Sequence, residues 1–346
     1  MTDTAGATSE ADGILGPEAA SALIHLNSQY FVHAAVELGL PDQVAESGST
    51  VAEIAERAGA DPAAVRRLLR MLSAIGIFQA GASDTFAHTP GSAALRSTSA
   101  TDSMMNAFVR NEQVARMWEQ LPAALRSGES AFGKAAGKPF YDYINQDDPA
   151  LAESFNAAMT NNIGSTNGAV VEALDLSSST DLVDVGGGQG TLLRDLLQAN
   201  PHLHGRLFDI EHALSDVDLE LRSGALADRC EIVEGDARMA VPTGADVYVL
   251  RTILHNWDDE SCAQMLRAIA RDAKPGARVL VVELVLPENG QVSVLEAMFD
   301  MMMFATFGAA ERTEAEYAAL FERAGLEHVG VFPTSSQFSI VEAAVR

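Results

Sequence analysis

Of the eight histidines in the 346-residue chain, one stands where an imidazole can do chemistry. His255 follows the apolar run VYVLRTIL, just past the end of an expected strand, whereas His202, His204, His212 and His328 fall in or near expected loops. His88 lies in an expected short hairpin, and His25 and His33 on the expected first helix. An imidazole at a strand end can exchange a proton near neutral pH, as a general base must. Glu283 is a second such residue: it sits inside VVELVLP, and a carboxylate in an apolar strand is costly unless paired. The third feature is LVDVGGGQG, residues 182–190, an apolar run that ends in glycines and passes into a helical pattern.

That turn lacks the marks of two common phosphate binders. A P-loop needs Lys followed by Ser or Thr after its last glycine, and none is present. A dinucleotide fingerprint needs glycine at its first, third and sixth positions, but the sixth counted from Gly186 is Thr191. Asp184, Gly186, Gly187, Gly188 and Gly190 instead let the backbone turn tightly against a ligand, which suits a nucleoside with a compact tail. Packing alone also produces such turns. The next strands favour the ligand. RLFDIEH carries Asp209, an acceptor for ribose hydroxyls, and CEIVEGDA ends in Asp236 with Ala237 beside it, placed for an exocyclic adenine amine. ADVYVLRTILHNWDDE ends in Arg251 and His255. Ligands of an open parallel sheet sit beyond the carboxyl ends of its strands, so these termini converge on one crevice.

Taken in order, LVDVGGGQG, LFDIEH, EGDA, LRTILHNWDDE, VLVVELVLP and AAERTEAEYAALFERAGL resemble the successive motifs of the small-molecule O-methyltransferases. That family includes plant caffeic acid methyltransferases and bacterial antibiotic-tailoring enzymes, and the match spans nearly the whole chain. The resemblance implies an α/β fold: a Rossmann-like sheet, mostly parallel with an antiparallel C-terminal hairpin, behind an N-terminal winged-helix dimerisation domain. It implies S-adenosylmethionine as cofactor, with Asp184, Gly186 and Gly188 around its amino-acid tail, Arg251 at its carboxylate, Asp209 at the ribose, and Asp236 with Ala237 at the adenine. It also implies His255 as base, flanked by Glu283 and Glu311. A carboxylate accepting the imidazole N–H fixes the tautomer and supports the imidazolium. Glu311 has a plainer reading as an acid opening the helix TEAEYAALFERAG.

Phe155 and Met159, four apart on one helical face, match the family segment that lines the acceptor pocket, with Asn162 close by. Met302 and Met303 would form a pliable wall for a planar aromatic hydroxyl compound, although core packing accounts equally for these apolar side chains. Asn256 stands where plant relatives have Asp, keeping hydrogen-bonding capacity but losing charge, and Arg251 where they usually have Lys. Moving a methyl from a sulfonium to oxygen is an in-line displacement, best in a dry site with reacting atoms ~3 Å apart. A phenol of pKa ~10 is mostly protonated at neutral pH, so a base of pKa ~6.5 suits it. No metal is expected, because Asp258 and Asp259 read as a helix start. Two rivals remain: hydroxylation or decarboxylation of a similar aromatic on the same cofactor, and a winged-helix regulator that binds DNA.

The elements that must carry these residues divide the chain into a helical front and an α/β back. The expected segments are a disordered tail at 1–12, a winged-helix-like dimerisation domain at 13–105, linking helices at 106–168 that contribute to the acceptor pocket, and the catalytic domain at 169–346. In the front, STVAEIAERAGADPAAVRRLLRMLSAIGIFQA holds two amphipathic helices, the second begun by Asp61 and Pro62, and GIFQAGASDTFAHTP reads as a β-hairpin wing. Arg66, Arg67 and Arg70 carry the DNA-binding reading, but the net charge of −25 opposes a nucleic-acid or anionic-membrane partner. Two cysteines are too few for a disulfide framework and fit a reducing cytoplasm. The N-terminus lacks a signal-peptide pattern, and the longest apolar run, broken by Glu283, is too short to span a bilayer. A homodimer is the expected assembly.

Overall fold

The computed structural model describes residues 28–97 and 111–346, apart from the side chains of residues 158 and 160–163. The expected tail 1–12, the remaining expectations for 13–27 and 98–110, and the Asn162 side chain lie outside the described residues. The chain divides into two compact units, Met1–Thr101 and Asp102–Arg346.

In the front unit, strands β1 (Ser49–Thr50), β2 (Phe78–Ala80) and β3 (Thr85–His88) form a small antiparallel sheet in the order β1-β3-β2. Two capped helices stand beside it. Thr50 and Glu53 close a reciprocal capping box on Val51–Ala58, and Asp61 accepts from the Ala64 amide to cap Pro62–Ala74, with proline at its first position. Val51, Ile54, Val65, Leu69 and Leu72 turn inward onto Phe78 and Phe86, the apolar core expected of a winged helix. Arg66 and Arg70 both pair with Asp84 at the wing, at 2.5 and 3.8 Å, so two of the three cations that a DNA-binding reading needs face an anion of the same unit.

The second unit is built on seven strands: β4 (Asp181–Val185), β5 (His204–Asp209), β6 (Cys230–Glu234), β7 (Val247–Arg251), β8 (Arg278–Glu283), β11 (Leu326–Pro333) and β12 (Ser339–Val345). Their order is β11-β12-β8-β7-β4-β5-β6. All pairs from β6 to β8 are parallel, and the β11–β12 hairpin adds antiparallel to β8, as the family resemblance implies. The apolar runs of β4, β7 and β8 are buried because helices cover both faces of a parallel sheet. Strand order reverses between β4 and β7, and at such a switch point loops diverge and leave a crevice.

One local feature differs from the sequence expectation. Strand β8 ends at Glu283, and after Leu284 the chain forms a short β9 (Val285–Leu286) that pairs in parallel with β10 (Arg312–Thr313). The apolar run is therefore two strands, and the second draws the 310–313 segment toward Glu283. The linking segment holds two successive helices, Pro149–Gly164 and Asn167–Ala173, separated by the polar run Ser165–Thr166. Two short helices precede them, Ala131–Ala136 and Phe140–Gln146.

Candidate active site

The glycine turn after β4 is tight because its neighbours leave no room for side chains. A Cβ on Gly186 would come within 2.4 Å of the Ile253 side chain, and one on Gly187 within 2.6 Å of the Asp184 carboxylate. Gly186, Gly188 and Gly190 all take positive φ, which glycine adopts without strain. A Cβ on Gly188, by contrast, would meet nothing within 4 Å, so at this point the turn faces open space. Asp209, at the end of β5, accepts from the amides of Gly188 at 2.9 Å and Ile210 at 2.7 Å, joining the turn to the next strand. Asp184 Oδ2 is buried and has no hydrogen-bond partner among the described residues. Burial, with the Asp209 charge adding to it and Arg251 opposing, pushes the Asp184 carboxyl up to about 7. A buried carboxylate of this kind calls for a cation. The ammonium of an amino-acid tail fits it, and the open side of Gly188 fits the approach of a ligand.

Arg251 is buried at the end of β7, and burial pushes it down to about 10. It donates to Asn167 and Thr166 at the break between the two linking helices, and its guanidinium lies 5.5 Å from the Phe338 ring centre. Asn167 in turn donates to Asp195 at 2.7 Å. Asp236, beyond β6, is held by Arg238 through Nη2 at 2.7 Å and Nε at 3.0 Å, which keeps its carboxyl below the usual carboxylate range. Ala237 packs against the main core.

His255 sits on a single 3-10 turn, Leu254–Asn256, beyond β7. Its Nδ1 lies 2.8 Å from Glu311 Oε1 and 3.3 Å from Glu283 Oε2, and all three residues are buried. The other oxygen of Glu283 accepts from the amides of Ile253 and Leu254, both at 2.9 Å, and of His255 at 3.4 Å. Glu283 thus supports the turn and faces the ring. Glu311 does not open the following helix: Thr313 and Glu316 form that capping box. Burial by itself lowers the pKa of His255, but the carboxylates of Glu283 and Glu311 outweigh it and raise the imidazole to about 9, well above the ~6.5 expected of an unperturbed base. Burial raises the Glu283 carboxyl. Among the described residues these three are also the one cluster with spacing for a metal ion. However, tetrahedral zinc with bonds of ~2.0–2.2 Å holds ligand atoms roughly 3.3 Å apart, and the 2.8 Å Nδ1–Oε1 distance is that of a direct hydrogen bond.

Of the expected acceptor residues, Phe155, Met159 and Met302 gather in a separate apolar cluster of the same unit. Phe155 is buried edge-on to Phe140 at 5.2 Å, while Met159 and Met302 are half-buried against the cluster and Met303 is buried. Asn256 is not aimed outward: its amide donates to the Thr252 carbonyl at 3.0 Å and closes the turn that carries His255. Asp258 caps the helix Asp259–Asp272 through the Ser261 amide, as its sequence position suggests.

Residues 118–327 match the O-methyltransferase domain, and residues 26–98 match the O-methyltransferase dimerisation domain. The chain belongs to the O-methyltransferase family. This methyltransferase is 39% identical over 300 residues to the mitomycin biosynthesis 6-O-methyltransferase of Streptomyces lavendulae, a match covering 85% of this chain and 84% of that protein. It is 34% identical to a phenazine O-methyltransferase of Lysobacter antibioticus over 93% of this chain and 95% of the relative. Its fold is similar to that of an O-methyltransferase from neocarzinostatin biosynthesis, solved in complex with S-adenosylmethionine and 2-hydroxy-5-methyl naphthoic acid, with a TM-score of 0.81, 30% identity and coverage of 97% and 100%. With a dimerisation domain at its front, the methyltransferase is a homodimer.

Several residues of this methyltransferase's crevice carry no signal in the sequence. Tyr141 stacks on Trp257 at 6.4 Å and on Phe307 at 5.3 Å, linking the turn after His255 to the apolar cluster. Arg238 covers the Trp257 ring at 4.7 Å. Ile210 and Met239 stand exposed just beyond β5 and β6, apolar side chains suited to the faces of a flat base.

Proposed function

We propose that this methyltransferase uses S-adenosylmethionine to methylate a hydroxyl of an aromatic small molecule in bacterial secondary metabolism, with His255 as general base. The observation that carries the reading is the buried arrangement of His255, Glu283 and Glu311 at the end of a central strand. The Nδ1 proton is directed to Glu311, and Nε2 has no hydrogen bond to any described residue. Bound S-adenosylmethionine supplies an electrophilic methyl on a positive sulfonium. Asp184 would hold the tail ammonium, the opening at Gly188 would admit the tail, Arg251 would take the carboxylate, Asp209 the ribose, and Asp236 with Ala237 the adenine edge. His255 Nε2 removes the acceptor hydroxyl proton while Glu311 keeps the ring oriented and stabilises the resulting imidazolium. Because the resting imidazole is raised to about 9, it is mostly protonated at neutral pH, and the base form becomes the major one as pH rises through that value. Phe155, Met159, Met302 and Met303 form the apolar wall for the acceptor ring, and Asn256 closes the turn that carries the base. The relatives that act on phenazine and naphthoic acid support a planar, phenolic acceptor.

Incubation with S-adenosylmethionine and a panel of phenolic polyketides, naphthoates and phenazines should give products heavier by one methyl group, unaffected by EDTA. Loss of turnover in EDTA would assign the buried cluster to a metal, and a product that gains oxygen or loses carbon dioxide would assign the fold to the atypical chemistry. Asp209→Ala removes the ribose acceptor and frees the Gly188 amide. Cofactor binding measured by calorimetry should weaken by roughly 1.5–3 kcal/mol, and unchanged affinity would move the ribose elsewhere. No helix among the described residues is long and apolar enough to cross a membrane. Cys230 and Cys262 are unpaired thiols, which fits a reducing, cytoplasmic setting.

A further inference from the structure

Arg312 follows Glu311 directly in the chain, yet its side chain turns to the opposite side of the His255 turn. It is buried and spends its donors on that turn. Nη1 donates to the Leu254 carbonyl at 3.0 Å and to Ala310 at 3.3 Å. Nη2 donates to the Trp257 carbonyl at 2.9 Å, and Nε and Nη2 both reach Asp259 Oδ1, at 3.1 and 2.9 Å. The thiol of Cys262 reaches the same two carbonyls, Leu254 at 3.2 Å and Trp257 at 3.4 Å. On the other side, Glu283 gathers the amides of residues 253–255. The turn bearing His255 is therefore gripped by an anion at its N–H groups and by a cation at its carbonyls. Short turns beyond strand ends have few contacts of their own to hold a side chain in place, and loss of this grip would leave the ring free to rotate away from Glu311.

We propose that Arg312 is a positioning residue for the methyl transfer: its fork of donors fixes the Leu254–Trp257 turn and thereby the direction of the His255 ring. The inference rests on His255 being the base. The charged and titratable groups around the ring are Glu283 at the end of β8, Glu311 and Arg312 from the 310–313 segment, Asp300 from the helix Val294–Phe307 through the Glu311 amide, and the buried Cys262 and Tyr317. Of these, Arg312 opposes the imidazolium charge and the carboxylates favour it. Lysine cannot replace the arginine fully, because one ammonium does not span two carbonyls and a carboxylate in a plane.

The test uses the full-length dimer with a weakly acidic phenol and with an acceptor already ionised at the assay pH. Arg312→Gln should lower kcat on the weakly acidic phenol by about 10- to 100-fold, with KM for S-adenosylmethionine little changed and the ionised acceptor spared. Its pH–kcat midpoint should move to higher pH, because removing a nearby cation raises the pKa of the imidazole. Arg312→Lys, which keeps the charge, should restore the midpoint but only part of the rate. In a His255→Ala background, Arg312→Gln should add no further loss. A folded Arg312→Gln enzyme with unaltered kcat and pH midpoint overturns the proposal, as does an equal loss on the ionised acceptor or in the His255→Ala background. If the Gln variant does not fold, Arg312→Lys decides alone: a loss confined to the weakly acidic phenol supports the role, and an unchanged rate overturns it. Should His255→Ala itself be fully active, the base reading fails, a result separate from any effect of Arg312.

Discussion

His255→Ala should bind S-adenosylmethionine as tightly as the wild type and transfer its methyl about 10² to 10⁴ times more slowly to a weakly acidic phenol. Cofactor affinity is expected to survive because the groups assigned to the nucleoside and tail stand on the strands rather than on the His255 turn: Asp184 in β4, Asp209 at the end of β5 and Arg251 at the end of β7. An acceptor already ionised at the assay pH needs no base and should be methylated by the mutant at close to the normal rate. If His255 is the base, as proposed, the active form of the wild type is the neutral imidazole, and the folded pKa is raised from 6.5 to about 9. Activity on weak acids should therefore climb through the range between these values and level off above it, rather than level off near neutrality. Quench-flow or steady-state rates across that range, with product measured by mass, decide the matter. A mutant with the full rate on a weakly acidic phenol would falsify the assignment of the base while leaving the cofactor site intact.

The largest effect on stability is expected at Glu283. Its carboxylate is fully buried, accepts three backbone amides with one oxygen and faces His255 with the other. Glu283→Ala leaves the amides of Ile253, Leu254 and His255 without their acceptor and the imidazolium without one of its two anions. Breaking a buried charged pair of this kind costs about 3–5 kcal/mol, read as a lower denaturant midpoint. The cost should depend on pH with a definite sign. The folded pKa of His255 lies above its unfolded value, so stabilisation from its anionic partners is complete below the unfolded value and is lost as pH rises through about 9. The mutant should thus lose less, relative to wild type, at about pH 10 than at about pH 8. A loss under ~1 kcal/mol at both would mean that solvent satisfies the three amides.

Much of the site is legible in the chain because each feature has a local cause. The glycine turn is readable since positive φ and close approach both demand glycine, and the structure needs it for both reasons at Gly186. The Asp61 cap is readable for the same kind of local reason. His255 is distinguished from seven other histidines by following a buried strand. Glu283 is readable through the cost of its charge, although not the fact that β8 ends there and β9 begins.

Its residues alone thus determined which side chains lie at the carboxyl ends of the strands, and with them the family and the chemistry on offer. Tertiary structure decided how those side chains are partnered and how strongly they hold protons. Glu311 reaches His255 across 56 positions because β10 pairs with β9, and Arg312 straps the Leu254 carbonyl across 58. Arg251 meets Asn167 across 84 because the linking helix breaks at Ser165–Thr166. None of these contacts has a periodic or short-range signature. Proton affinity follows the same rule: the rise of His255 to about 9 is a balance between burial and two carboxylates that only the folded chain brings together, so no property of the residue at position 255 alone could reveal it.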